Sequence, residues 1–244
     1  MLDMLLQGNF WLSVAQIVVI DILLGGDNAV VIALACRRLP AEQRRKGILW
    51  GVAGAIALRI VLIFFALQLL ALPYLKVVGA LLLLWIGVKL LQPDDDHHAS
   101  IAGSAHLLGA IKTIIVADAV MSLDNVIAVA GAAKGEIGLV AFGIAISIPI
   151  IVWGSQFVLK LMDRFPIVIT LGGALLGWIA GEMLLGDVAF KALLTGLPAW
   201  THYASALSGA ILVVVVGAAF ARRAARAAPL REIAASEPSG GEGH

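Results

Sequence analysis

The sequence predicts an all-α polytopic membrane protein with seven transmembrane helices: two inverted three-helix repeats plus one extra helix. Three observations lead there. Hydrophobic residues make up 61% of the chain and charged residues 14%, proportions of a chain dissolved in lipid rather than one burying a soluble core. The apolar residues fall in stretches of about 20, the length that crosses a bilayer. An acidic pattern in the first stretch, Asp21-Ile22-Leu23-Leu24-Gly25-Gly26-Asp27-Asn28, returns in the fourth as Asp118-Ala119-Val120-Met121-Ser122-Leu123-Asp124-Asn125.

The first stretch, Phe10 to Ala35, has no Lys or Arg before it and is too long and acidic for a signal-peptide core, so it reads as a retained spanning helix. Ile48 to Leu70 and Pro73 to Leu91 complete the first repeat, about 10–91. Leu107 to Ala132, Ile137 to Leu159 and Ile167 to Leu185 form the second, about 107–185. Tyr203 to Phe220 is the extra helix, about 203–220. The membrane domain thus covers 1–225, and the Ala-, Pro-, Ser- and Gly-rich residues 226–244 read as a disordered cytoplasmic tail. Between the repeats, Asp94, Asp95, Asp96, His97 and His98 read as a solvated linker, with an ion-collecting loop as the alternative. The Gly186 to His202 segment reads as an outer interfacial helix anchored by Trp200.

Charge sets the orientation. Arg37, Arg38, Arg44, Arg45 and Lys46 follow the first span, which places that loop in the cytoplasm and the N-terminus outside. Lys89, the Lys160 to Arg164 loop, and Arg222, Arg223 and Arg226 then also fall inside, leaving the C-terminus cytoplasmic. Basic residues used this way, with a net charge of +1, give no sign of a nucleic-acid partner. The lone cysteine, Cys36, excludes an internal disulfide and a thiolate metal cluster.

The repeat goes beyond the acidic motif: Pro73 recurs as Pro166, and Gly79 with Trp85 as Gly172 with Trp178. Three spans are an odd number, so the second copy enters the membrane from the opposite side. Two antiparallel acidic helices then meet near the bilayer centre. A charged side chain there costs roughly 2.5 to 3.5 kcal/mol, so four unpartnered aspartates would cost on the order of 10 kcal/mol. A bound cation, or protons carried in a cycle, would offset that.

At 100° per residue, Asp118, Ser122 and Asn125 share one helical face, and Asp21 and Asn28 share the equivalent one. Asp27 and Asp124 lie about 120° away. Both acids of a motif reach one ion only if the helix unwinds locally, as Gly25-Gly26 would permit; otherwise they serve two roles. Carboxylates with Asn oxygens make a hard site suited to manganese, magnesium or calcium, and with no His or Cys in either motif, zinc and copper fit poorly. Met121 is a packing residue or a thioether ligand favouring manganese. Arg59, the basic side chain at comparable depth, is a counter-ion that keeps nearby carboxylates ionised, with a gating role as the alternative. Glu182, at the repeat position of Lys89, is either a vestibule ligand or an interfacial charge. Gly172-Gly173 and Gly177 to Gly181 mark close helix packing.

The LGGDNAVVIALA and SLDNVIAVA elements, the paired aspartates of the first and fourth spans and the seven-span layout resemble the TerC family of bacterial integral membrane proteins, over about Asp21 to Phe220. The resemblance implies a divalent-cation exporter of the cell (inner) membrane, with manganese the favoured cargo, no permanently bound cofactor and no enzyme activity. It places ion binding on Asp21, Asp27, Asn28, Asp118, Asp124 and Asn125, with Arg59, Ser122, Met121 and Glu182 as supporting candidates. Outward movement of a divalent ion against an inside-negative potential costs about 4.6 kcal/mol per 100 mV, roughly 2.3 per charge, so export is expected to be exchange for protons. Partners are then the ion, protons and the bilayer, with a homo-oligomer left open. Two rivals stand beside this. Leu24-Gly25-Gly26-Asp27 distantly resembles the G-x-G-D element of intramembrane aspartyl proteases. A membrane factor supplying metal to exported proteins is the other.

Overall fold

The computed structural model describes residues 8–92, 103–132, 137–190, 194, 198 and 200–236; within them the side chains at 8–10, 12, 13, 20–25, 66, 67, 70, 103–105, 124, 126–132, 137–141 and 224–236 lie outside the description. Among the described residues the chain is helical throughout. The elements are α1 (Gly8–Cys36), α2 (Ala41–Leu70), α3 (Leu75–Leu91), α4 (Gly103–Ala132), α5 (Ile137–Arg164), α6 (Ile167–Leu185), a 3₁₀ turn (Val188–Phe190) and α7 (Trp200–Ser236). Helices follow from the composition, because a backbone in hydrocarbon has to satisfy its own N–H and C=O groups. Prolines punctuate them: Pro40 and Pro166 sit at the N-caps of α2 and α6, and Pro73 precedes α3.

Five segments are long and apolar enough to cross a membrane: Ala41–Phe65, His106–Leu123, Phe142–Arg164, Ile167–Leu185 and Trp200–Arg223. α3, with 17 residues, falls just short, and Gly26–Cys36 is the apolar stretch found in the described part of α1. Large apolar side chains face outward, Trp153 at 71% exposure and Trp50 at 66% among them. Such a surface would aggregate in water and is at home in lipid.

α1 packs on α4 and α5, α2 on α4, α3 on α6, and α6 on α7. Small residues set the distances. Gly51 and Gly54 of α2 receive Ile114 and Ile115 of α4, and Gly143 of α5 receives Ile17 of α1. α6 and α7 approach closest: a Cβ at Gly177 or Gly181 would overlap the carbonyl oxygen of Gly209 or Ser205. The close packing expected at Gly172-Gly173 and Gly177 to Gly181 is present, since Gly172 meets Val30 and Leu34, and Gly173 meets Leu91.

The basic loop does more than orient the chain. Arg37 Nη2 donates to the Leu90 carbonyl at 3.0 Å, and Arg38 Nη2 to those of Lys89 at 3.0 Å and of Gln92. Cationic groups thus sit on the negative end of the α3 dipole. Arg44 pairs with Asp163 at the end of α5, at 2.9 Å. The C-termini of α1, α3 and α5 therefore gather with the N-terminus of α2 at one basic end. At the opposite end, Asp187, buried just after α6, accepts the backbone N–H groups of Tyr74 at 2.9 Å, Lys76 at 2.9 Å, Val77 at 3.3 Å and Ala189 at 2.8 Å. Tyr74 has a left-handed φ of 67°, and this clasp, with an edge-on contact to Phe190, holds it there.

Two expectations change, and of the two readings left open for the acidic motifs, local unwinding is not seen. α1 runs unbroken through Gly25-Gly26, and α4 through Ser122-Leu123, because unwinding would leave backbone groups unsatisfied at depth. Trp200 opens α7 and is 65% exposed, while most of the Gly186 to His202 segment lies outside the described residues. α7 continues to Ser236, so residues 226–236, placed in the tail by composition, are helical, as the alanine run Ala224, Ala225, Ala227, Ala228 favours. The Asp94 to His98 linker lies outside the described residues.

Candidate functional site

Asp118 is the centre of the site. It projects from the middle of α4 and is 7% exposed. Its Oδ1 accepts from Asn28 Nδ2 of α1 at 2.8 Å and from Arg59 Nη2 of α2 at 2.5 Å. Ser122, one turn further along α4 and fully buried, donates its Oγ to Asp118 Oδ2 at 3.3 Å. Three helices thus meet at one carboxylate. The Arg59–Asp118 pair fits what burial requires, since an ionised carboxylate in a low-dielectric interior stays charged only with a matched cation and donors. Arg59, expected as a counter-ion, forms an ion pair with Asp118.

Beside this pair lie two oxygens with a different standing. Asn28 is 3% exposed; with its amide nitrogen committed to Asp118, its Oδ1 is buried and has no hydrogen-bond partner among the described residues. Asp27 Oδ1 is likewise buried without a hydrogen-bond partner among the described residues. Buried acceptors without donors are rare and mark a place where a water, a proton or a cation belongs. Asn28, Arg59 and Asp118 line a cavity of about 20 Å³, walled otherwise by Val31, Ile32, Val52, Ala55, Ile56, Ile114 and Ile151. That volume holds about one water-sized particle. A hydrated divalent ion would have to shed its shell to enter.

The remaining sequence candidates divide. Asp21 and Asp124 lie on α1 and α4, but their side chains are outside the description. Asn125 is half-buried on α4 and does not line the cavity. Met121 is buried in the apolar core and does not line the cavity. Glu182 is exposed near the end of α6, where its Oε1 accepts from Trp178 Nε1 at 3.0 Å, an interfacial charge rather than part of this cavity. Among the described residues no group of three His, Cys, Asp or Glu side chains is close enough to hold a metal.

Sequence reasoning missed the apolar walls, which no motif marks, and Asp187. A signal for Asp187 existed: in the register that aligns Pro73 with Pro166, it falls on Asp94.

Residues 6–226 match the family described as "Integral membrane protein TerC family". The chain belongs to the TerC family. It is similar to the uncharacterized membrane protein YjbE of Bacillus subtilis (strain 168), 45% identical over 183 residues that cover 75% of this chain and 83% of the relative. The UPF0053 inner membrane protein YgdQ of Escherichia coli (strain K12) is 24% identical over 181 residues, covering 65% of this chain and 73% of the relative. No solved structure matches. As a TerC family member, the chain is an integral membrane protein.

Proposed function

We propose that this TerC family protein moves a divalent metal cation, manganese foremost, out of the cytoplasm across a bacterial inner membrane, in exchange for protons. The observation that carries the reading is a pair of buried acceptors without donors among the described residues: Asn28 Oδ1, which with Asp118 lines a cavity sized for one dehydrated ion, and Asp27 Oδ1 next to it in the chain. Carboxylate and amide oxygens suit a hard cation. Protonating such carboxylates releases the ion, which supplies a means of coupling. The relatives named inner membrane proteins support the location.

Seven crossings and an inverted repeat complete the reading. α3, at 17 residues, extends about 26 Å at 1.5 Å per residue, close to the roughly 30 Å hydrocarbon core, a mismatch that tilt or slight thinning absorbs. Exchanging α1 with α4, α2 with α5 and α3 with α6 carries the α1–α5 contact onto the α4–α2 contact and returns the α1–α4 and α3–α6 contacts to themselves. Gly51 on Ile114 and Gly143 on Ile17 are mates under that exchange. This supports two halves related by a two-fold axis in the membrane plane, and alternating access by one half rocking against the other. The positive-inside rule puts the basic end in the cytoplasm.

Proteolysis fits less well. Asp118 accepts from Arg59 and Asn28, a cation and an amide, whereas an aspartyl dyad is built on two carboxyls that share a proton.

The test is manganese flux in proteoliposomes under an imposed proton gradient, with calcium and magnesium as competitors. Asp27→Asn and Asp124→Asn are each expected to abolish flux while membrane abundance stays unchanged; retained flux in either removes that carboxylate from the site.

A further inference from the structure

The same cavity contains its own cation. Arg59 is 4% exposed, and its Nη2 lies 2.5 Å from Asp118 Oδ1, the oxygen that also accepts from Asn28. One acceptor of the cavity is therefore already matched by a fixed positive charge, while Asp27 Oδ1 and Asn28 Oδ1 are buried without a donor among the described residues. The halves differ on this point. In the register in which Gly51 corresponds to Gly143, Arg59 corresponds to Ile151, a buried apolar residue in the wall of the same cavity.

Resting on the transport reading above, we propose that Arg59 is a tethered competitor of the transported cation. Its guanidinium holds Asp118 while the site is empty. An entering divalent ion, seated first by Asp27 and Asn28 Oδ1, displaces it from Asp118. Arg59 is a positioning residue here, acting on the ion through Asp118. Binding then has a mechanical consequence. The displaced bond is a polar tie between α2 and α4, which also meet along the glycine-lined seam of Gly51 and Gly54 against Ile114 and Ile115. Occupancy of the site loosens that seam, and return of Arg59 to Asp118 expels the ion.

The experiment measures manganese flux at constant pH for the full chain in proteoliposomes, comparing wild type with Arg59→Gln, Arg59→Lys, Asp118→Asn and the double variant Arg59→Gln with Asp118→Asn. Removing a positive charge a few ångströms from the ion is expected to lower KM by on the order of ten- to a hundredfold in Arg59→Gln, with a fall in kcat as release slows. Arg59→Lys restores both toward wild type. Asp118→Asn, which takes one carboxylate charge away from Arg59, loses flux, and the double variant recovers binding by at least tenfold over Asp118→Asn. A folded Arg59→Gln with KM unchanged or raised overturns the proposal, as does a double variant no better than Asp118→Asn. The double variant also serves where Arg59→Gln alone fails to accumulate, because it removes both charges of the Arg59–Asp118 pair together. A merely structural Arg59 would change abundance and leave KM where it was. A wild type that carries no manganese fails the transport reading itself, a result distinct from either.

Discussion

Asp118 and Asp187 are both buried carboxylates, satisfied in opposite ways. Asp118 is held by side chains from three helices, one of them a full positive charge, so its partners can exchange. Asp187 is held by main-chain N–H groups, which stay where the fold puts them. Burial alone raises Asp187, but the bonds from Ala189, Tyr74, Val77 and Lys76 together outweigh it and keep the carboxyl below its usual range. The stabilisation this gives is complete above the ordinary Asp value of about 3.9 and is lost as pH falls through the lowered one. Asp187→Ala is expected to lower stability near neutrality by about 2 to 4 kcal/mol, since it strands several N–H groups at once, and to remove this acid-labile contribution. Melting of the detergent-purified protein against pH measures both effects. At this scale the sequence was legible where charge defied hydropathy: Asp118, Arg59 and Asn28 stood out as polar residues inside apolar runs. Asp187 did not, because a carboxylate beside a loop looks solvated until the fold brings Tyr74 and Lys76 to it.

Among the elements, α6 is the best tested by its glycines. Gly177, Gly181 and Gly209 let α6 and α7 touch backbone to backbone, with no room for a side chain. Gly181→Leu is expected to cost about 3 kcal/mol or more through forced separation of the helices, read as lost thermal stability and lower membrane abundance. Gly109→Ala, in α4 where an added Cβ meets nothing within 4 Å, is the matched control and should leave melting unchanged or slightly raised. Helix positions were legible from apolar run length, and α6 falls on its expected bounds, Ile167–Leu185. The ends of α5 and α7 were not, since both helices continue past their apolar runs into charged residues that helices accept at the interface. The unwinding contemplated at Gly25-Gly26 is absent because glycine permits a break without requiring one.

For the whole molecule, orientation is the property to measure. Glu42 is exposed at the basic end and His202 is exposed near the start of α7, at the other. With the native Cys36 buried and silent, a membrane-impermeant maleimide added to intact cells is expected to label His202→Cys and to reach Glu42→Cys only after permeabilisation. The reverse pattern would invert the direction of transport. The loop charges give an expectation for orientation; the asymmetry of the two halves is less legible, because it lies in which residue faces Asp118 rather than in the repeated motif. The α6–α7 seam reaches beyond the mature molecule, into its biogenesis. A ribosome delivers α7 after α6, so until the final helix enters the bilayer, α6 presents a strip of bare main chain at Gly177 and Gly181 to whatever surrounds it. Nascent chains cut short before α7 would keep that strip without the helix that covers it.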